Sequence, residues 1–408
     1  LQPVDSIALQ NWMTAAPTRA VIAALQAGGT EVRFVGGCVR DALAGRTIKD
    51  IDIATPDAPE TVIALLEAAG VKAIPTGLQH GTVTAVAQHH PFEITSLRED
   101  VETFGRHAKV AFTDDWKADA ARRDFTMNAL SLAPDGRLYD PFEGRADLAA
   151  GRVRFVGDAT ARIREDFLRI LRFFRFQAHY GLIPPDAGTL AAIEAEAAGI
   201  EGLSGERLRA EMLKLLAAPD PYPALLAMRD CGALSRVLPE AGLEPLRALL
   251  VLESEADPLL RLAALLPPGE ETARRTAAHL RLSNAERDLL LLLLSPGFEI
   301  TLGSGREALR LAAYRLGLEK VTNILLLTAA REGANREDLA ASLGRLEDWQ
   351  GVSFPLQGRD LLDLGFEAGP GLGRALAALE DWWIGQDYAP DKAACLEEAK
   401  RRLEGASQ

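Results

Sequence analysis

The stretch that most constrains this chain is FVGGCVRDALAGRTIKDIDIAT, residues 34–55. Val32 to Val35 is a short β-branched and aromatic run that predicts a strand, and Gly36 and Gly37 end it where a helix can begin at Cys38. A second strand follows, in which Asp50 and Asp52 project to one face and Ile51 and Ile53 to the other. Strand, glycine turn, helix and strand in so few residues require a layered sheet-and-helix domain. They also outline a site. Glycine lets backbone come close to a phosphate, the first helical N–H groups point outward unpaired, and Arg40, one turn on, adds a guanidinium to the same anion. Neighbouring carboxylates repel unless a divalent cation lies against them. Mg²⁺, which takes one or two carboxylates together with phosphate oxygens and water, is the natural occupant.

Downstream, APETVIALLEAAG (58–70) predicts a helix with Leu65 and Leu66 inward, and VKAIPT, GTVTAVA and FEITSL predict strands. A strand at FEITSL would lie beside the Asp strand, which makes Glu93 the candidate third carboxylate; a solvent-facing glutamate fits the same pattern. In RRDFTMNAL (122–130), Arg122 and Arg123 can neutralise a triphosphate and Asp124 can accept from ribose hydroxyls or orient an arginine. Phe125 and Met127 read as core anchors, and by itself the Arg-Arg-Asp run equally fits a surface ion-pair cluster. Beyond about residue 145 the pattern is helical, punctuated at Pro184-Pro185, Pro219 to Pro223, Pro267-Pro268 and Pro296-Gly297. In RIREDFLRILRFFRF (162–176), helical spacing places Asp166, Arg169, Arg172 and Arg175 along one side. Three arginines on one stripe repel unless something anionic, or a base edge, lies against them.

A net charge of −13 argues against a nucleic-acid partner if the charge is spread evenly. It is not. Arginines 152, 154, 162, 164, 169, 172 and 175 stand against only Asp158, Glu165 and Asp166, a local balance of +4, so a polyanion should meet the chain there. The run LLLLLL at 289–294 is flanked by Arg287-Asp288 and Ser295-Pro296 and reads as a buried helix, so no membrane span is expected. Cys38, Cys231 and Cys395 are far apart and read as buried thiols of a reducing cytoplasm, with no zinc site. No export signal is visible at the start of the chain, and a cytoplasmic location is expected.

Taken in order, these segments resemble the class II CCA tRNA nucleotidyltransferases, which belong to the DNA polymerase beta superfamily and share a catalytic head with bacterial poly(A) polymerases. The resemblance implies that Gly36, Gly37, Arg40, Asp50 and Asp52 bind triphosphate and metal. It assigns Arg122, Arg123 and Asp124 to the nucleotide's ribose and phosphates, and Glu165, Asp166 and Arg169 to the motif that reads the base, with Arg172 and Arg175 on the same helix. DPFEGRADLAAGRVRFVGD (140–158) is similar to the family's hinge, LSGERLRAEMLKLL (203–216) to a buttressing helix, and 99–115 to its flexible loop. FPLQGRDLLDLGFEAGPGLGRALAALEDWW (354–383) resembles a tail near the tRNA elbow, where Gly365, Gly369 and Gly371 permit close approach of RNA backbone or serve as helix caps. The implied fold class is α+β: a nucleotidyltransferase head with a small mixed β-sheet flanked by helices, then all-α neck, body and tail. The expected divisions are 1–145 for the catalytic head, 146–216 for the neck with its nucleotide-selecting helix, 217–340 for the body and 341–408 for a tRNA-binding tail.

The implied reaction is template-independent addition of C, C and A to the tRNA 3′ end from CTP and ATP, with two Mg²⁺ ions on Asp50 and Asp52 and release of pyrophosphate. Donor and acceptor chemistry gives the base choice a direction. Cytosine and adenine both present an amino donor beside a ring-nitrogen acceptor, whereas uracil and guanine present a carbonyl beside an N–H. An accepting Asp166 and a donating Arg169 therefore suit C and A. Poly(A) polymerase and partial CC or A addition are the neighbouring alternatives. The basic Gly-(Arg/Lys)-Arg-Phe stretch shared by bacterial poly(A) polymerases does not occur in HGTVTAVAQHHPFEITSLRED. A catalytically silent RNA-binding scaffold would require loss of a metal carboxylate, and both are present.

Overall fold

The computed structural model describes residues 2–78, 81–104, 107–297 and 299–406. Its contacts divide the chain into two compact units, one of residues 1–241, 256–258 and 278–282, the other of residues 242–255, 259–277 and 283–408.

The first unit is built on a mixed sheet. Its strands are β1 (Asp5–Ser6), β2 (Arg33–Val35), β3 (Asp52–Thr55), β4 (Lys72–Gly77), β5 (Thr82–Ala87), β6 (His90–Ser96), β9 (Ser131–Leu132) and β10 (Arg137–Tyr139), while β7 (Arg98–Phe104) and β8 (His107–Phe112) form a separate hairpin. The order across the sheet is β1-β10-β9-β2-β3-β6-β5-β4. Only β3 and β6 run parallel; the other neighbours are antiparallel. Alternation explains the faces. In β5, Val83, Ala85 and Ala87 are buried between half-buried Thr82, Thr84 and Val86, and in β6 Phe92 and Ile94 do the same. This apolar face packs against Val21 and Leu25 of the Ala16–Gln26 helix and Val62 and Leu66 of the Pro59–Ala68 helix. Leu66 is fully inward as expected; Leu65 is half-buried. The three cysteines are buried and free.

From β2 the chain turns at Gly36, with φ +70°, directly into a helix of Gly37–Leu43. The 99–115 segment, expected as a flexible loop, is for its described residues mostly the β7/β8 hairpin, closed by the Arg98–Phe112 and Phe104–His107 pairs; Gly105 and Arg106 lie outside the described residues. The 162–176 stretch is not one helix. Asp166, at φ −156°, closes a helix of Ala159–Glu165, and its carboxylate accepts from the Leu168 N–H to start the next, Leu168–Tyr180. Asp166 therefore stands at a corner and does not share a helical stripe with the arginines. A short polar acceptor suits a helix start better than a helix interior, and periodicity across 162–176 conceals this.

Phe125, Phe155, Phe173 and Phe176 cluster with ring centroids 4.9 to 6.2 Å apart, joining the 122–130 segment to the hinge and the Leu168–Tyr180 helix. Among its described residues the second unit has helices and no strand. Leu246 and Leu249 of the Glu244–Leu252 helix and Val321 and Leu325 of the Leu318–Glu332 helix are fully buried where these helices pack together. A separate core holds Leu361, Leu379, Trp383 and Cys395 near the end of the chain. The leucine run lies in the Asn284–Leu294 helix and is half to fully buried. Among the described residues no helix is long and apolar enough to cross a membrane. Gly369, at φ +147°, is the N-cap of the Pro370–Gly385 helix, which accounts for one tail glycine as a cap.

The 140–158 segment is pinned by a close approach. A Cβ on Gly144 would sit 2.1 Å from the Thr126 carbonyl oxygen, and the buried Asp147 one turn on accepts from Thr126 Oγ1 at 2.7 Å and Arg154 Nε at 2.7 Å. Because the obstacle is backbone, Gly144→Ala should destabilise the protein by about 1–3 kcal/mol or more. A thermal melt checks this, and an unchanged Tm would mean that the 126 and 144 segments do not meet.

Candidate active site

Parallel pairing of β3 with β6 sets Asp52 in register with Glu93. Residues paired in register point to the same face, so two carboxylates stand side by side on neighbouring central strands of the sheet. Asp52 is mostly buried and has no ion-pair partner among the described residues. Burial first, then Glu93 and to a lesser extent Asp50, push its carboxyl up to about 6, against the pull of Arg123 and Arg40. Gly36 is wedged between these groups: a Cβ there would lie 3.1 Å from Arg123 Nη1 and 3.7 Å from Asp52 Oδ2.

These residues border a cavity of about 520 Å³, within the size range of a nucleotide-sized ligand site. Gly36, Gly37, Arg40, Asp52, Glu93, Arg122, Arg123, Asp124, Asp166, Arg169, Arg172 and Arg175 all line it. Asp50 does not. It precedes β3, is exposed, and faces an adjoining cavity that also touches Asp52. The expected two-carboxylate strand face is thus Asp52 with Glu93 across the sheet, because the strand begins only at Asp52.

The arginines are held one by one. Arg122 and Arg123 both bond the buried Asp119, at 2.9 and 3.2 Å. Arg40 pairs with Asp41 at 3.0 Å and donates to Asn128 Oδ1 at 2.7 Å. Asp124 accepts from Arg172 Nε at 2.7 Å and Asn128 Nδ2 at 2.9 Å; burial opposes its ionisation, but Arg172 and these hydrogen bonds outweigh it and hold its carboxyl below the usual range. Arg175 pairs with Glu211 at 3.2 Å. Arg169 donates to Glu165, to the Arg162 carbonyl at 2.8 Å and to the Arg122 carbonyl at 3.1 Å, while Asp166 is tied to Arg207 at 2.6 Å. Outside the cavity, Arg152 and Arg154 pair with Asp147, Arg162 with Glu165 and Arg164 with Glu196. The local balance of +4 counted within residues 152–175 therefore leaves out carboxylates that the fold brings to it from elsewhere in the chain. Each of its arginines has a carboxylate partner, several of them from segments distant in sequence; Arg169 and Arg175, the ones drawn furthest from water, need such neutralisation most.

Sequence reasoning passed over Asp119, Asn128, Arg207 and Glu211. Asp119 lies three and four residues before its arginines, a spacing legible in the sequence. Arg207 and Glu211 share one face of the Gly205–Leu216 helix, and only packing against the Leu168–Tyr180 helix reveals their partners.

The donor set fits divalent cations: hard carboxylate oxygens, two of them adjacent, with Asp52 held toward protonation by burial and by the neighbouring Glu93. Among the described residues no group of three or more Asp, Glu, His or Cys is gathered into a ready ligand cage.

Residues 32–154 match the family model described as the poly(A) polymerase head domain, and 185–242 match that of a probable RNA- and SrmB-binding site of polymerase A. The chain is 37% identical over 381 residues to the mitochondrial CCA tRNA nucleotidyltransferase 1 of Danio rerio, spanning 90% of this chain and 86% of that protein. It is 32% identical to the CCA-adding enzyme of Latilactobacillus sakei, spanning 93% and 96%. Among solved structures, the Bacillus stearothermophilus CCA-adding enzyme in complex with CTP superposes with a TM-score of 0.75 at 30% identity, covering 96% of this chain and 98% of that one. With its motifs in order, its fold matched and its identity to these relatives sustained over nearly the whole length, the chain belongs to the class II CCA tRNA nucleotidyltransferases.

Proposed function

We propose that this protein adds C, C and A to the 3′ end of tRNA from CTP and ATP without a nucleic-acid template, releasing pyrophosphate. The observation that carries the reading is an arginine-lined cavity bordered by Asp52 and Glu93 and also by Asp166 and Arg169. Relatives named as CCA-adding enzymes, one of them solved with CTP, support the substrate class.

In this reading the incoming nucleotide lies in the cavity with its phosphates toward Gly36, Gly37 and the Arg122–Arg123 pair. Asp52, with Asp50 and Glu93 beside it, would hold the two Mg²⁺ ions. When bound, these would favour ionisation of the attacking hydroxyl and offset charge on the α-phosphate and leaving pyrophosphate. The protein's own contribution is positioning. Of Arg169's five donors, three are engaged, leaving Nε–H and one Nη–H for the base's ring-nitrogen acceptor. Asp166, steadied by Arg207, accepts from the amino group. Within this reading residues 1–145 serve as the head, 146–216 as the neck, and 217–340 and 341–408 as body and tail engaging the tRNA.

Asp52→Asn should abolish incorporation of both C and A, by about a thousandfold or more, while leaving the fold intact. Mg²⁺ should raise the Tm of the wild type but not of this variant. Retained turnover in Asp52→Asn would place the chemistry elsewhere.

Asp166→Ala should relax rejection of UTP and GTP by about five- to two-hundredfold, the value of one base-edge hydrogen-bond mismatch. Arg207→Ala, which frees Asp166, should shift the same ratios in the same direction by less. The measurement is kcat/KM for all four nucleoside triphosphates on tRNA lacking its CCA end and on tRNA ending in CC. Unchanged ratios would remove Asp166 from base selection.

A further inference from the structure

Asp166 and Arg169 hang from one corner of backbone. Asp166 is extended, at φ −156°, and its carbonyl accepts from the Arg169 N–H at 2.9 Å, while the carbonyl of the intervening Phe167 accepts from the Ile170 N–H at 3.1 Å as the Leu168–Tyr180 helix begins. A shift of this corner therefore moves both side chains at once.

Packed side chains do not box the corner in. Asp166 and its partner Arg207 keep 32% and 23% of their side-chain surface exposed, and both line not only the first cavity but another of about 570 Å³, to which Phe167 and Gly199 also belong. With open space on more than one side, an ion pair has no fixed position of its own and takes the one its backbone gives it. One contact bears on that backbone. The Phe167 ring lies against Gly199 so closely that a Cβ on Gly199 would fall 2.2 to 2.4 Å from ring atoms Cδ1, Cε1 and Cγ. Cγ is the near end of the side chain, so the ring cannot give way by a small adjustment at its tip; it must leave its rotamer or carry the corner with it.

Gly199 sits in the Ala197–Gly202 turn and is not among the residues of positive φ, so its backbone conformation would accept an alanine. The approach of the ring is what excludes a side chain. The same turn runs through Leu203 and Ser204 into the Gly205–Leu216 helix, which carries Arg207. The contact thus joins the residue that follows Asp166 to the segment that leads to Arg207, and braces the two members of the pair against each other.

We propose that the Phe167 ring seated on Gly199 is the stop that sets where the Asp166–Arg207 pair stands, which makes Phe167 and Gly199 specificity-determining positioning residues for the nucleotide base. The inference rests on the reading that Asp166 accepts from the base's amino group. Hydrogen bonds at a base edge discriminate only when donor and acceptor meet within a few tenths of an ångström, and a displacement of about 1 Å is enough to lose much of a site's efficiency.

The test is Gly199→Ala, Phe167→Ala and the double variant, with the Tm as a check on folding and kcat/KM for CTP, ATP, UTP and GTP as the readout. Each single variant should relax rejection of UTP and GTP by about threefold or more, and by less than Asp166→Ala does, with the KM for tRNA unchanged. The double variant should be no more relaxed than Phe167→Ala, because the added methyl acts only through the ring. Phe167→Tyr, which keeps the ring, should retain wild-type ratios. A lowered Tm with unchanged ratios would make the contact structural and overturn the proposal, as would additive effects in the double variant. Asp166→Ala in the same assay separates the two readings: if it shifts the ratios and Gly199→Ala does not, this proposal alone fails, and if it leaves them unchanged, the base reading fails and this proposal with it. Calorimetric titration of the four triphosphates into the protein without RNA gives the same ratios as affinities, and so decides the contact even if the wild type incorporates nothing, a result that would sink the proposed function.

Discussion

Arginines from the glycine-turn helix, the 122–123 pair, the Leu168–Tyr180 helix and the Gly205–Leu216 helix all converge on one cavity, and they can do so only because carboxylates meet them there. Asp124 reaches Arg172 across 48 residues of chain, and Asp166 is held from 41 residues away by Arg207. Ion pairs of this kind contribute little net stability, since desolvation offsets most of the attraction. What they supply here is position: a guanidinium anchored on one side presents its remaining donors in a fixed direction. The same balance explains how an acidic protein serves a polyanionic substrate, because a net charge of −13 says nothing about which cations stay uncompensated.

The acidic side of the site depends on register. Among the described residues β3 and β6 are the one parallel pair in the sheet, and their alignment puts Asp52 opposite Glu93 and Ile53 opposite Ile94. A slip of one residue would turn the carboxylates into the core and the isoleucines out to the cavity. The buried Ile53, Val83 and Ile94 therefore hold the carboxylates in place by refusing the alternative.

Much of this was legible because it is local. The turn at Gly36, the strands around it, the inward Phe125 and Met127 and the buried leucine helix follow from neighbours a few residues apart. The break at Asp166 was not, because apolar and basic periodicity runs through it; the extended backbone at Asp166, whose carboxylate accepts from the Leu168 N–H, interrupts the helix. The 99–115 segment likewise has no strong strand pattern, and its pairing as β7 and β8 emerges only when both halves are brought together.

The sequence by itself determined the inventory: a glycine turn before a helix, acidic residues flanking Ile51, an Arg-Arg-Asp run and an arginine-rich helix, in the order of a known family. Tertiary structure decided which of these meet. It separated Asp50 from the first cavity, set Glu93 beside Asp52, and assigned carboxylate partners to the arginines of the 152–175 stretch. The reason is physical. Helix and strand preferences act over a turn or two of chain, whereas strand register and the neutralisation of buried charge are set between segments that only folding brings within a few ångströms of each other.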